Sequence, residues 1–136
     1  MTFFLDTDIC IFALRGEYVS LQAAFRALKP ERVKVPSIVA AELFLGAYKC
    51  RNSLTAEKAV DAFLEPFDVI PFDRDAAEVY AQLRADLESR GMAIGPNDLL
   101  IAATTLAHRG ILVTHNKREF SRVPGLHLQD WTQQDV

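Results

Sequence analysis

Three carboxylates are embedded in the most apolar stretches of this chain. Asp6 interrupts FFLDTDICIF, Glu42 lies in IVAAELFLGAY, and Asp98 lies in GPNDLLIAATTLA. Burying an isolated carboxylate costs several kcal/mol or forces it to take up a proton. Three such residues in one small chain therefore indicate that they converge on something positive, most simply a divalent metal ion. Oxygen ligands of this kind suit Mg²⁺ or Mn²⁺ better than Zn²⁺, which prefers His and Cys.

The stretch VTHNKREF supplies further polar groups late in the chain. We expect Thr114 and Asn116 to present polar groups at the same edge of the fold, and Glu119 is close enough to add a carboxylate. Lys117 and Arg118 are candidates for contact with a phosphate. A solvated surface loop is an equally good interpretation of these basic residues.

Each acid also has a structural interpretation. Asp98 falls in the first turn of an expected helix, where a carboxylate is common. Asp6 or Asp8 could cap the helix that follows the first strand, and Asp8 is the better candidate for that role. Glu42 has no such role, because it lies well inside a helix among apolar neighbours. The three acids together favour a functional site.

Composition limits the class of protein. The 136 residues are half hydrophobic and about a quarter charged, which is typical of a single globular domain over residues 1–136. No apolar run approaches the ~20 residues that a membrane span needs, and the N-terminus does not resemble a signal peptide. We expect a cytoplasmic protein in which Cys10 and Cys50 are buried and reduced. The net charge of −3 means that any nucleic-acid contact must come from a local basic patch.

Apolar strands alternate with helices along the chain. The pattern predicts short strands at 3–5, 33–35, 67–71, 111–114 and 126–128. It predicts helices at 8–14, 19–28, 36–48, 56–64, 76–87 and 98–108. Such alternation predicts an α/β/α sandwich around a mostly parallel sheet of about five strands. Sites in sheets of this type form at the carboxyl ends of the strands, which is where Asp6 lies.

Other chemistries lack their motifs. The sequence contains no G-x-S-x-G, no P-loop, no G-x-G-x-x-G and no C-x-x-C. His108, His115 and His127 have no metal-ligand spacing. We interpret His108 as a helix-end residue and the other two as surface or strand positions.

Four segments together resemble a known family. The opening FFLDTDICI, the segment VPSIVAAELFLGA, the block GPNDLLIAATTLA and the ending LVTHNKREFSRVPGLHLQDW are similar to PIN-domain ribonuclease toxins of the VapC type, over essentially the whole chain. The resemblance implies a PIN-like α/β/α sandwich and Mg²⁺- or Mn²⁺-dependent cleavage of RNA. The low isoelectric point, near 5.6, favours a defined target such as tRNA over indiscriminate degradation. It also implies a cognate VapB-like antitoxin, a homodimer of the toxin and a higher hetero-oligomer with the antitoxin.

The resemblance also assigns site residues. The three strongest acidic positions of the family are matched by Asp6, Glu42 and Asp98. The fourth acidic position holds Asn116 here, and Glu119 is the plausible substitute. Asp8 stands where the family usually has Asn. In our own hypothesis of metal-assisted hydrolysis, Asn116 and Thr114 would position the water or the scissile phosphate, and Lys117 or Arg118 would hold the flanking RNA backbone.

Two alternative functions stay open from the sequence alone. Asp6-Thr7-Asp8 after an apolar strand also resembles the first motif of haloacid-dehalogenase-type phosphatases, in which Asp6 would be the nucleophile. No segment convincingly supplies the paired-acid Mg²⁺ motif that such an enzyme needs. The other alternative is a non-catalytic binding module whose acids make only structural hydrogen bonds.

Overall fold

A five-stranded sheet forms the centre of the molecule. The computed structural model describes residues 1–133, so the last three residues of the expected domain 1–136 lie outside the described part. The strands are β1 (Phe3–Leu5), β2 (Val33–Pro36), β3 (Asp68–Ile70), β4 (Ile111–Val113) and β5 (His127–Gln129). All four strand pairs are parallel, and the order across the sheet is β3-β2-β1-β4-β5.

Seven α-helices connect and cover these strands within residues 1–133. They are α1 (Thr7–Leu14), α2 (Val19–Ala27), α3 (Ser37–Tyr48), α4 (Ser53–Leu64), α5 (Arg74–Ser89), α6 (Pro96–Ala107) and α7 (Lys117–Phe120), and a 3₁₀ turn spans Pro30–Arg32. Helices thus flank the parallel sheet, which confirms the predicted α/β/α architecture.

The central strand β1 explains why the first acid lies at a site. Phe3, Phe4 and Leu5 are all buried, as expected for a strand covered on both faces. Phe3 is in register with Val33 on one side and with Ile111 on the other. The chain runs outward from β1 to β2 and β3 on one side and to β4 and β5 on the other. The carboxyl end of β1 is therefore the switch point at which open α/β sheets form their crevice.

One glycine allows α6 to connect closely to β4. A Cβ atom at Gly110 would overlap the ring of Phe4, which is itself almost completely buried in the core. The Gly110 N–H also donates to the carbonyl of Thr105, which closes the end of α6. A larger residue here would push β4 away from β1.

The helix after β1 begins differently from the prediction. Asp6 caps α1, because its Oδ1 accepts a hydrogen bond from the Ile9 N–H at 3.0 Å. The expectation that Asp8 is the cap is wrong, since Asp8 already lies inside the first turn. A short helix at 117–120 also forms where the sequence indicated only a polar stretch.

The two cysteines differ in environment. Cys10 is buried in the core, as predicted, but Cys50 is exposed. The prediction for Cys50 is wrong because α3 ends at Tyr48 and the chain turns at the surface before α4. No helix within residues 1–133 is long and apolar enough to cross a membrane.

Candidate active site

A small cleft lies at the carboxyl edge of β1. It has a volume of about 100 Å³. The residues that line it are Asp6, Thr7, Asp8, Glu42, Asp98, Asn116 and Phe120. The fold thus brings the three acids of the apolar stretches around one cleft, although they are far apart in the sequence.

Asp6 is the most deeply buried of these acids. It is 4% exposed, and its backbone N–H bonds to the carbonyl of Val113 across the sheet. The pKa of its carboxyl is raised to about 7, mainly by burial and to a smaller extent by the nearby charges of Asp8 and Asp98. Hydrogen bonds to the Thr114 side chain and the Ile9 N–H lower the pKa but do not outweigh burial.

Asp98 faces the same excess of negative charge. It is the third residue of α6, in the first helical turn, and is half-buried. Burial, together with the charges of Glu119, Glu42 and Asp8, raises the pKa of its carboxyl to about 6. Two carboxyls with raised pKa values in one cleft show that the site favours added positive charge.

Glu42 reaches the cleft from the second turn of α3. The Thr7 hydroxyl donates to its Oε1 at 2.7 Å, which fixes the carboxylate. Thr7 and Asp8 both line the cleft, and neither was predicted as a catalytic or metal-binding residue. Asp8 was noted as a cap candidate and as a family position that usually holds Asn, whereas the signal for Thr7 is its position beside Asp6.

Asn116 and Glu119 form a linked pair beside the acids. The Asn116 Nδ2 donates to Glu119 Oε2 at 3.0 Å, and the Gly95 N–H donates to Glu119 Oε1 at 2.9 Å. The Gly95 N–H lowers the pKa of Glu119 below its ordinary value. Partial burial opposes that change, and Asn116 and Arg122 support it. Asn116 lines the cleft itself, whereas Glu119 ties α7 to the start of α6.

The three residues expected to contact substrate lie outside the cleft lining. Thr114 is fully buried, and its Oγ1 accepts a hydrogen bond from the Asn116 N–H at 2.9 Å. Lys117 lines a different cavity, between α2 and β5, and Arg118 is exposed on α7. Their contact with substrate stays a prediction.

The donor set suits a hard divalent cation. None of the seven lining residues is basic, and six of them offer oxygen atoms. Within residues 1–133, no three His, Cys, Asp or Glu side chains already stand at the spacing needed to hold one metal ion. The carboxylates therefore share a cleft but would have to turn toward an ion. Metal binding by Asp6, Glu42 and Asp98 stays a prediction that their chemistry and their raised pKa values support.

Comparison with known proteins identifies the fold family. A family model described as the PIN domain matches residues 3–126. The chain belongs to the PIN-domain family. This membership confirms the resemblance of the four sequence segments and favours the nuclease interpretation over the phosphatase and binding-module alternatives.

Relatives match this PIN domain over nearly their whole length. Ribonuclease VapC2 of Rickettsia felis is 37% identical over 132 residues, covering 96% of this chain and 98% of the relative. The tRNA(fMet)-specific endonuclease VapC of Shigella flexneri is 35% identical over 132 residues, covering 97% and 99%. The crystal structure of VapBC2 from Rickettsia felis, bound to a DNA fragment from its promoter, contains a chain that is 36% identical. That chain superposes with a TM-score of 0.90, covering 96% of this chain and 99% of its own length.

Proposed function

We propose that this PIN domain is a Mg²⁺- or Mn²⁺-dependent endoribonuclease and the toxin of a type II toxin–antitoxin pair. It hydrolyses phosphodiester bonds of a defined RNA, such as a tRNA, in the cytoplasm. The observation that carries the proposal is the cleft that Asp6, Glu42 and Asp98 line together. Relatives that match this chain over almost their full length are named as a ribonuclease and a tRNA(fMet)-specific endonuclease, which supports it.

The acids of the cleft provide the catalytic groups. Asp6 and Asp98 would hold the metal ion, and Glu42 would bind it or orient the attacking water. A bound divalent ion supplies positive charge that stabilises the phosphate oxygens and makes a water molecule more acidic. Asp6 is fixed by the Ile9 N–H and Glu42 by the Thr7 hydroxyl, so both carboxylates are oriented before RNA arrives.

The polar residues after β4 position the substrate. The Asn116 amide orients the water or the scissile phosphate, and Glu119 takes the place of the fourth acid of the family. Thr114, buried behind Asp6, holds Asp6 and the backbone of Asn116. Lys117 and Arg118 bind the flanking RNA backbone, where contact with phosphates gives position without sequence selectivity.

A cognate VapB-like antitoxin restrains this activity. A solved relative is a VapBC complex on promoter DNA, which supports a hetero-oligomer with an antitoxin here. We propose that this hetero-oligomer is built on a homodimer of the toxin. The acidic cleft has no basic residue in its lining, so a basic side chain of the antitoxin would compensate its charge in place of a metal ion.

Cleavage of RNA by the purified, antitoxin-free chain tests this function. Total RNA and initiator tRNA are incubated with Mg²⁺, with Mn²⁺ and with EDTA, and the new ends are mapped. We expect cuts at discrete positions with either metal and none with EDTA, and activity should return when metal is added back. A folded protein that leaves both RNA samples intact in the presence of metal would contradict the proposal.

A further inference from the structure

Three aromatic side chains form a cluster at the same edge of the fold as the acids. The ring centroids of Phe12 and Tyr18 are 5.1 Å apart, and His115 lies 6.1 Å from Phe12 and 6.3 Å from Tyr18. Tyr18 is 41% exposed and the His115 side chain is 49% exposed. We call these three residues the aromatic platform.

The aromatic platform continues directly from the acidic cleft. Phe12 follows Asp8 by four residues in α1, so the two side chains lie on the same face of that helix. His115 sits between Thr114, which bonds to Asp6, and Asn116, which lines the cleft. A strand of RNA with its phosphate in the cleft would therefore have an adjacent nucleotide at the platform.

The backbone at Tyr18 is strained in a way that places its ring on the platform. Tyr18 has φ of 62°, in the left-handed region that favours glycine and that a bulky residue rarely adopts. Its aromatic ring packs edge-on against Phe12. Strain of this kind is concentrated at binding and catalytic sites. A glycine would relieve it, so the tyrosine ring is retained at a cost in stability.

His115 is held in one orientation by a buried acid. Its Nδ1 lies 3.1 Å from Asp130 Oδ2 and 2.9 Å from Thr132 Oγ1. The Thr132 hydroxyl donates its hydrogen to Asp130 Oδ1 and therefore cannot donate to the imidazole. The His115 Nδ1 atom must then carry a hydrogen and act as the donor to Asp130 and Thr132. The Asp130 side chain is only 2% exposed. The hydrogen bonds found for His115 within residues 1–133 both involve Nδ1, and its side chain is 49% exposed, so Nε2 is left for a substrate.

We propose that Tyr18 and His115 bind an unpaired nucleobase of the RNA next to the scissile phosphate. Phe12 supports both rings, and Asp130 is a positioning residue for His115. Stacking on aromatic rings is how proteins hold bases of single-stranded RNA, and it suits bases that are splayed out of a loop. The inference rests on the proposed ribonuclease function and adds the part of the site that selects unpaired RNA.

Binding of fluorescein-labelled initiator tRNA, measured by anisotropy with Ca²⁺ in place of Mg²⁺ so that the acidic cleft is neutralised, tests the platform separately from the rate of cleavage. We expect Tyr18→Ala and His115→Ala each to raise Kd about 10-fold, and Tyr18→Phe to stay near the wild type. Tyr48→Ala is the matched control, since Tyr48 is a 61% exposed tyrosine on α3 outside the platform. In cleavage assays the same Tyr18 and His115 variants should raise KM by the same factor and leave kcat within about twofold.

An abasic substrate separates stacking from a structural effect. Removing the base next to the mapped cut should weaken RNA binding by the wild type about 10-fold. The same removal should not weaken RNA binding by Tyr18→Ala any further, because the tyrosine ring and the base act as a pair. Tyr18→Gly removes the ring and the backbone strain together. It should unfold at the wild-type temperature or above and still bind RNA weakly.

Failure of the proposed function and failure of the aromatic platform give different results. Absence of cleavage by the wild type contradicts the proposed function. Unchanged RNA affinity in Tyr18→Ala and His115→Ala, or no RNA binding by the wild type, overturns the aromatic platform. Loss of antitoxin binding in these variants with unchanged RNA affinity would assign the platform to a protein partner and would also overturn it.

Discussion

Asp6 serves two purposes with one carboxylate. Its Oδ1 caps α1 through the Ile9 N–H, and the same side chain lines the acidic cleft. Capping alone would be satisfied by a neutral Asn or Ser at this position. A buried charge with a raised pKa destabilises the fold at neutral pH unless a cation is present. The choice of Asp is therefore explained by function and not by stability.

The buried charge of Asp6 should make the stability of the fold depend on pH. Because the folded-state pKa of Asp6 is about 7 and its ordinary value is 3.8, the folded protein binds an extra proton between these limits. The free energy of unfolding should therefore fall as pH rises from about 4 to about 7. Asp6→Asn keeps the cap and removes the charge, so it should be more stable above pH 7, by up to about 4 kcal/mol. Guanidinium unfolding in EDTA at several pH values measures this.

Asp8→Asn provides the control for that measurement. Asp8 lies two residues after Asp6 and lines the same cleft, but it is exposed, so removing its charge should change the pH dependence much less. A pH profile of Asp6→Asn that matches the wild type would show that Asp6 does not carry the buried charge.

The site residues differ in how far the sequence could predict them. Asp6, Glu42 and Asp98 were identified because a charge inside an apolar stretch is unusual in a sequence. Thr7 carries no such contrast, since a hydroxyl at a helix start has a common structural use. His115 was interpreted without a function, because its orientation depends on an acid 15 residues later in the chain.

At the scale of elements, α7 is the part that the sequence did not predict. Lys117–Phe120 is a single helical turn, too short for the periodicity on which helix prediction depends. This helix contributes Glu119, which accepts a hydrogen bond from the Gly95 N–H just before α6 begins. The helix α7 thus holds the segment that presents Asp98 to the cleft.

Glu119→Gln tests this link. The neutral amide is a weaker acceptor for the Gly95 N–H and removes a charge that raises the pKa of Asp98. We expect the rate of RNA cleavage to fall about 10-fold or more, with little change in thermal stability. Glu78→Gln, the same change on an exposed position of α5, should cleave like the wild type. Equal cleavage rates for the two variants would show that Glu119 has no role in the active site.

At the scale of the whole molecule, the strand order creates the site. The alternation of strands and helices predicted five strands in a parallel sheet, and the structure has five. Their order could not be predicted, because each pairing joins segments that are distant in the chain and depends on the packing of all the helices. The resulting order puts β1 at the centre, with α1, α3 and α6 delivering acids to its carboxyl end.

Divalent metal should therefore stabilise the entire fold. An ion that binds only the folded state adds about 2.7 kcal/mol when its concentration is 100 times Kd. Thermal unfolding at pH 8 should occur at a higher temperature in Mg²⁺ or Mn²⁺ than in EDTA. The increase should be much smaller in Asp98→Asn. Identical unfolding temperatures with and without metal in the wild type would show that the acids hold no ion.

The most direct test compares two acids placed alike in their helices. Asp98 lies in the first turn of α6 and lines the cleft, whereas Asp75 lies in the first turn of α5 and is exposed. Cleavage of initiator tRNA and of total RNA in Mn²⁺ is measured for the wild type, Asp98→Asn and Asp75→Asn, each with its circular dichroism spectrum. We predict that Asp98→Asn folds normally and loses activity by at least about 100-fold, while Asp75→Asn cleaves like the wild type. Wild-type cleavage by a folded Asp98→Asn protein would contradict the assignment of this cleft as the active site.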